Sequence, residues 1–259
     1  MIGIYDSGLG GLTALRELRI RRRDLDILYF GDTAHLPYGT RSAQTVLRYA
    51  RLAISFLTSH GADSILVACG TVSSVALPTL QAETQIPLMG VVTPAAEVAY
   101  ALSHTKKIGV IATDATVRSG AFETALRNLG GVTPLSRACP LLVSLVENGF
   151  TGQNDPVARA ACEYYLLPLQ KANIDTLILG CTHFPLLAHH IHRALPQVTL
   201  VGAGEAAAAN LLATCPSVGR GQTHLYVSDN PEAFARQATY FLGEELPCPV
   251  RLWRDPTFI

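Results

Sequence analysis

Charge of either sign is scarce in this chain, and what there is cancels. Its 259 residues carry 20 Lys and Arg against 20 Asp and Glu, a formal net charge of zero. That balance excludes the basic footprint of a nucleic-acid binder and the attraction of an anionic membrane. The one basic cluster, Arg19-Ile20-Arg21-Arg22-Arg23, closes the first predicted helix, where positive charge complements the negative helix end. Cysteine is sparse too: six residues, none in a Cys-x-x-Cys pair, exclude a disulfide scaffold. No apolar stretch is long enough to span a bilayer without charges or glycines, and no charged leader with an apolar core is expected before Met1-Ile2-Gly3-Ile4-Tyr5. A reducing cytoplasm is the expected compartment, and it keeps thiols reduced.

Hydrophobic residues make up 49% of the chain, enough for a full core and too many for global disorder. This length suits one large α/β domain or two smaller ones sharing a cleft. Strand-like segments (2–5, 26–30, 63–68, 107–112, 132–136, 174–179, 198–201, 223–227) alternate with helical patterns near 11–20, 41–59, 71–82, 94–104, 117–129, 140–148, 155–172, 184–195, 204–214 and 231–242. Such alternation predicts α/β architecture with mostly parallel sheets.

Two segments repeat each other. Ala62-Asp63-Ser64-Ile65-Leu66-Val67-Ala68-Cys69-Gly70-Thr71 and Ile174-Asp175-Thr176-Leu177-Ile178-Leu179-Gly180-Cys181-Thr182-His183 both run from an Asp and a hydroxyl residue through an apolar stretch to a small residue and a Cys. An uncharged run rich in Ile, Leu and Val reads as a buried parallel strand. The opening strand recurs as well, Ile2 to Gly8 in Ile108 to Asp114, at an offset near that separating the cysteines. Convergence of short strand patterns is the plainer explanation. Two similar halves related by a pseudo-two-fold is the reading preferred here. It predicts a first domain of residues 1–94 and 206–259, carrying Cys69, and a second of 95–205, carrying Cys181. Function in open α/β sheets gathers at the carboxyl ends of strands. The two thiols are therefore expected to face each other across the cleft between domains, the arrangement that removes a proton from one face of a carbon and returns one to the other.

The remaining candidates are weighed against simpler roles. Asp6-Ser7-Gly8-Leu9-Gly10-Gly11 follows a strand and opens a helix, whose N–H groups suit a carboxylate. It lacks Gly-x-Gly-x-x-Gly spacing and a P-loop lysine, and in isolation an N-cap with a tight turn is the better reading. Gly31-Asp32-Thr33-Ala34-His35-Leu36-Pro37-Tyr38-Gly39 is a shaped loop suited to a polar ligand, or an ordinary strand-to-helix connection. Glu147 ends an apolar helix, where a solvated carboxylate is the usual case. Cys139, Cys162, Cys215 and Cys248 read as small buried hydrophobes. Cys69 and Cys181 each stand between strand and helix, where backbone donors are expected to lower a thiol pKa from about 8.5. His183 is placed to tune Cys181, and Asp6 to tune Cys69. Cys-x-His is poor zinc spacing and no second ligand pair accompanies it, so no metal is expected.

Asp6-Ser7-Gly8-Leu9-Gly10-Gly11-Leu12-Thr13, Gly31-Asp32-Thr33-Ala34 with Pro37-Tyr38-Gly39, and Gly180-Cys181-Thr182-His183-Phe184-Pro185 together resemble the glutamate racemase family. The ordered set is specific where each motif alone is only moderately so, and the resemblance runs from residue 1 to about residue 243. It implies two pseudo-symmetric α/β domains with the substrate between them, and cofactor-independent formation of D-glutamate for peptidoglycan. Carried over by residue, it implies that Cys69 and Cys181 are the acid/base thiols, Cys69 acting on the D-enantiomer and Cys181 on the L-enantiomer. Asp6, Ser7, Pro37, Tyr38, Gly39, Gly70, Thr71, Thr182 and His183 would line the substrate site, with Glu147 as an additional cleft acid. One position departs from the family, which usually has Asn directly after the first cysteine where this chain has Gly70. A backbone N–H, a water or Ser73 is expected to take the place of the missing amide. A small amino-acid substrate and a second copy of the chain, as a homodimer, are the expected partners. The alternatives are an aspartate racemase or other two-cysteine isomerase, and an inactive amino-acid-binding regulator.

Overall fold

A computed structural model describes residues 1–214 and 219–254; Cys215 lies outside the described residues. Ten strands are found among them: β1 (Ile2–Asp6), β2 (Ile27–Gly31), β3 (Ser64–Val67), β4 (Leu88–Gly90), β5 (Lys107–Ala112), β6 (Thr133–Ala138), β7 (Thr176–Leu179), β8 (Thr199–Gly202), β9 (Thr223–Val227) and β10 (Val250–Leu252). They form two sheets, in the orders β10-β9-β2-β1-β3-β4 and β6-β5-β7-β8. Every pairing is parallel. The strands β1, β2, β3 and β7 are buried along their whole length, which is why they read as unbroken apolar runs and not as alternating ones.

The second sheet repeats the middle of the first. Its order β6-β5-β7-β8 matches β2-β1-β3-β4, with β9 and β10 added at the β2 edge. The register repeats too: Ile2 pairs with Ser64 in β1 and β3, and Ile108 with Thr176 in β5 and β7. Even the entry to each cysteine strand recurs, Asp63 N–H donating to Met1 O and Asp175 N–H to Lys107 O, both at 3.1 Å.

Side chains from β1 leave to both sides. Ile2 and Ile4 join a large core that continues under the second sheet, whereas Tyr5 joins Leu28, Phe30 and the buried face of the helix Ala43–Ser59. The halves are stitched by helices Leu12–Arg21, Val92–Leu102 and Ala203–Thr214, the last contacting the other two. Its Ala206, Ala207 and Ala208 are buried, and small side chains allow that close helix approach. At the end of the first helix, Arg19 donates to the carbonyls of Arg23 and Leu25 and reaches across to Gln222 O, so this part of the basic cluster ties a helix end to the β9 edge.

Several elements depart from the sequence reading. β4 and β10 are additions to it, being three residues each and too short for a pattern. The predicted helix 71–82 is two helices, Gly70–Val75 and Leu77–Glu83, broken at Ala76. Pro78 is the reason, since it has no N–H to give to the carbonyl one turn back. The predicted helix 117–129 begins at Asp114, capped by Thr113 Oγ1, and breaks at Gly120, whose φ of 66° is left-handed. The start of the predicted helix 184–195 is a 3₁₀ turn, Phe184–Leu187. Cys139 and Cys162 are buried as expected, but Cys248 is only half-buried. Among the described residues no helix is long and apolar enough to cross a membrane.

Candidate active site

In each sheet the chain turns one way after the first strand and the other way after the cysteine strand. The carboxyl ends of β1 and β3, and of β5 and β7, therefore flank a switch point, where crevices form in open α/β sheets. Asp6 ends β1, and Cys69 stands two residues beyond β3; Thr113 follows β5, and Cys181 stands two residues beyond β7. Between the two sets lies a cavity of about 260 Å³. Ser7, Pro37, Tyr38, Gly39, Cys69, Gly70, Thr71, Glu147, Cys181, Thr182 and His183 all line it. Asp6 does not. It lies beneath, fully buried, with Oδ2 accepting from Gly8 N–H at 2.9 Å. It caps no helix, because the first begins at Leu12 after Gly11 without a side-chain cap.

On the first side Cys69 is the N-cap residue of helix Gly70–Val75, without a side-chain cap bond, and its thiol donates to Ser7 Oγ at 3.5 Å. The expectation of a lowered pKa is overturned. Burial, then the nearby Asp6 carboxylate, push the Cys69 thiol up to about 12, against the Ser7 hydroxyl and the Val72 N–H. Six residues of helix and one hydroxyl do not offset the loss of water around a thiolate. Asp6 is itself raised, by burial first, partly offset by His183 and the N–H groups of Gly8 and Gly11.

Polar partners are richer on the Cys181 side. The sulfur lies 3.7 Å from His183 Nδ1, and His183 Nε2 lies 3.1 Å from Glu147 Oε1. Burial works against charge on the ring, but the Cys181 sulfur and the Glu147 carboxylate outweigh it and push His183 up to about 10. An imidazolium donates from both nitrogens, which matches the acceptors at each, the Cys181 sulfur with Thr182 Oγ1 at Nδ1 and Glu147 at Nε2. Glu147 is thus a cleft acid rather than a solvated helix end. Phe241 meets the His183 ring edge-on at 5.5 Å, and Gln237 Nε2 donates to Glu147 O at 3.2 Å, so the helix Pro231–Leu242 holds the pair from the first sheet's side.

The loop after β2 is fixed from behind. Tyr38 OH donates to Asp32 Oδ2 at 2.5 Å and lies 2.9 Å from Tyr5 OH, while Ser228 Oγ donates to Asp32 Oδ1 at 2.6 Å. The Tyr38 hydroxyl is therefore engaged in the scaffold, and the backbone around Gly39 is what the loop offers a ligand. Thr71 Oγ1 meets Thr113 Oγ1 at 2.9 Å across the cleft. Ser73 does not supply the missing amide: its Oγ donates to Val67 O at 2.8 Å and accepts from Val91 N–H at 3.2 Å.

The cavity also takes Leu36, Thr40, Thr113, Asp114, Pro140, Val143, Ser144 and Gly180, none of them named from the sequence as a site residue, although Leu36, Thr113, Asp114 and Gly180 stood in its motifs. The repeat held the signal for Thr113, which stands 106 residues after Ser7 at the same point past its strand. Of all the lining residues His183 alone can be cationic, and the other donors the cavity offers are hydroxyls and backbone N–H groups. Larger cavities lie behind the helix Gly70–Val75 (about 660 Å³) and beside Trp253 (about 380 Å³), but neither has a cysteine among its lining residues. Among the described residues no cluster of three His, Cys, Asp or Glu side chains is placed to hold a metal.

The sequence and its fold of two parallel α/β sheets match known proteins along almost the whole chain. Residues 16–240 match the Asp/Glu/Hydantoin racemase family. A glutamate racemase of Aquifex aeolicus is 42% identical over 245 residues, covering 95% of each chain. The crystal structure of a Bacillus anthracis glutamate racemase isoform superposes with a TM-score of 0.92 at 33% identity, covering 99% of this chain and 98% of that one. The Francisella tularensis glutamate racemase, solved with D-glutamate, gives 0.89 at 31% identity over 98% and 96%. This chain belongs to the Asp/Glu/Hydantoin racemase family. It is an amino-acid racemase, an isomerase.

Proposed function

We propose that this protein interconverts L- and D-glutamate by proton transfer at Cα between two cysteines, without a cofactor. The observation that carries the reading is the placement of two buried sulfurs, Cys69 and Cys181, at equivalent strand ends on one enclosed cavity. The relatives named above, one solved with D-glutamate, support glutamate as the substrate. Two lobes, residues 1–94 with 206–259 and residues 95–205, would each supply one thiol.

In the L-to-D direction the Cys181 thiolate takes the Cα proton and becomes a thiol, while the Cys69 thiol gives its proton to the opposite face and becomes a thiolate. The reverse direction exchanges the roles. Each L-to-D turnover leaves Cys181 as the thiol and Cys69 as the thiolate, and loss of a proton from Cys181 to solvent with uptake of one by Cys69 restores the starting state. Burial holds Cys69 protonated, as a donor must be, and the His183 imidazolium faces the sulfur that must bear negative charge. The carbanion-like transition state would be stabilised electrostatically, by fixed donors lining the cavity. Ser7, Thr71, Thr182 and the backbone around Gly39 and Gly70 would orient the substrate, and Asp6 would act through its charge beneath the site.

Thiols that carry protons must stay reduced, which supports a cytoplasmic setting. Supply of D-glutamate for peptidoglycan and a homodimeric assembly complete the proposal. The test is a racemisation assay on each enantiomer of glutamate and aspartate with no added cofactor, followed by circular dichroism. Decay of the glutamate signal to zero from both sides is expected, and absence of inversion would overturn the reading.

A further inference from the structure

We propose that Gly70 sets how far the two lobes close, and through that the separation of the two thiols. The inference rests on the two-cysteine reading for its kinetic consequence but not for its geometry. A Cβ built on Gly70 would lie 2.1 Å from Gly180 O and 3.2 Å from Gly180 C. These are the residues directly after Cys69 and directly before Cys181, so the two cysteine turns pack backbone against backbone. Two other glycines line the same seam. A Cβ on Gly10 would meet Thr182 Oγ1 at 2.0 Å, and one on Gly39 would meet Thr113 Cβ at 2.9 Å. At Gly10 and Gly39 the obstacles include the Thr182 and Thr113 Cβ atoms, at 2.7 and 2.9 Å, which no rotamer change moves, so a side chain there also presses on the seam. At Gly70 the obstacle is a carbonyl with no rotamer to change, so a side chain there can be admitted only by moving a cysteine turn or opening the cleft.

This answers what stands in for the amide that the family resemblance leads one to expect beside Cys69. Ser73 is turned away, and the space is filled by the Gly180 carbonyl of the opposing turn. In this respect Gly70 is a positioning residue, acting through the approach of Gly180 and not through any side chain of its own.

The test compares Gly70→Ala with the unaltered protein by iodoacetamide labelling and peptide mass spectrometry, with Gly152→Ala as control because nothing lies within 4 Å of a Cβ there. Opening the seam should label Cys69 and Cys181 about fivefold faster or more, while buried Cys139 and Cys162 keep their rates. Displacing reacting groups by about 1 Å should lower kcat by about ten- to a hundredfold, with KM changed by less than about threefold. A merely structural defect would raise labelling of all four cysteines together. That result, or unchanged labelling of Cys69 and Cys181, overturns the proposal. If the unaltered protein fails to racemise glutamate, the function reading falls and the labelling still decides the seam. Should Gly70→Ala not fold, Gly39→Ala carries the test. It should accelerate labelling of the same pair by about twofold, and no acceleration there overturns the proposal equally.

Discussion

His183 and Glu147 face each other at 3.1 Å, with the other ring nitrogen of His183 3.7 Å from the Cys181 sulfur. A cation held between a carboxylate and a sulfur makes the two sides of the cleft unlike, because the Cys69 sulfur meets the neutral Ser7 hydroxyl and Val72 N–H instead. The His183 value of about 10 lies above the unfolded value of about 6.5. A raised folded pKa means that the pairing contributes its full stability below about pH 6.5 and loses it as pH rises through about 10. The melting temperature of the unaltered protein should therefore fall between about pH 7 and 10.5 more steeply than that of Glu147→Gln, which lacks the pair. Parallel curves would show that the ring carries no such charge.

Removing either thiol leaves one face of Cα without a proton carrier. Cys69→Ala and Cys181→Ala should each lose at least about 10³-fold in racemisation while keeping their melting temperatures within a few degrees. In deuterated water the unaltered enzyme should place deuterium at Cα of the inverted product. Two-way turnover in either variant, or inversion without exchange, would dispose of the two-thiol mechanism.

Because the two enantiomers are equal in free energy, kcat/KM must fall equally in both directions in any variant. The asymmetry of the cleft can still appear in isotope effects. His183→Asn should make removal of the proton by Cys181 slower, raising the primary deuterium effect measured from L-glutamate relative to that from D-glutamate. Equal changes from both sides would mean that His183 serves both thiols alike.

The Tyr38 hydroxyl is tied to Asp32 and Tyr5 behind the loop. Tyr38→Phe leaves the buried Asp32 carboxylate short of one donor, at a cost of about 1–3 kcal/mol. Stability should drop by that amount in urea unfolding, and KM should rise as the backbone around Gly39 loosens. A change in kcat alone would place the hydroxyl on the reacting groups instead.

Much of this was legible in the sequence because strand and cysteine recur together. The apolar runs ending at Cys69 and Cys181 marked the buried parallel strands, and their shared offset with Ile2 and Ile108 foretold the repeated β1/β3 and β5/β7 pairings. What stayed hidden depends on contacts between distant segments. No local pattern marks β10, which exists only through its pairing with β9. The high Cys69 value arises from burial by both halves, where the sequence offered only a helix N-terminus. The reason Gly70 can stand where an amide was expected lies far along the chain, in the carbonyl of Gly180.

The repeat also makes a prediction about its two aspartates. Asp63 and Asp175 occupy equivalent positions at the entry to β3 and β7, yet their side chains differ in setting. Asp175 Oδ2 accepts from His104 N–H, Thr105 N–H and Thr105 Oγ1 at 2.6–2.8 Å, and Oδ1 from Ser103 Oγ at 2.6 Å. Burial opposes its charge, but these donors outweigh it and hold the carboxyl well below the usual range. The Asp63 side chain is 60% exposed. Asp175→Asn should therefore cost about 1.5–3 kcal/mol in urea unfolding at about pH 7, as for a hydrogen-bonded charge, and Asp63→Asn no more than about 1 kcal/mol. A depressed folded pKa gives stability that is present above the unfolded value of about 3.9 and lost as pH falls through the folded value. The gap between Asp175→Asn and the unaltered protein should accordingly hold from about pH 7 to 5 and narrow below about pH 3.9. A gap that stays constant into acid would assign the loss to the shape and packing of the substituted side chain, not to the carboxylate's charge.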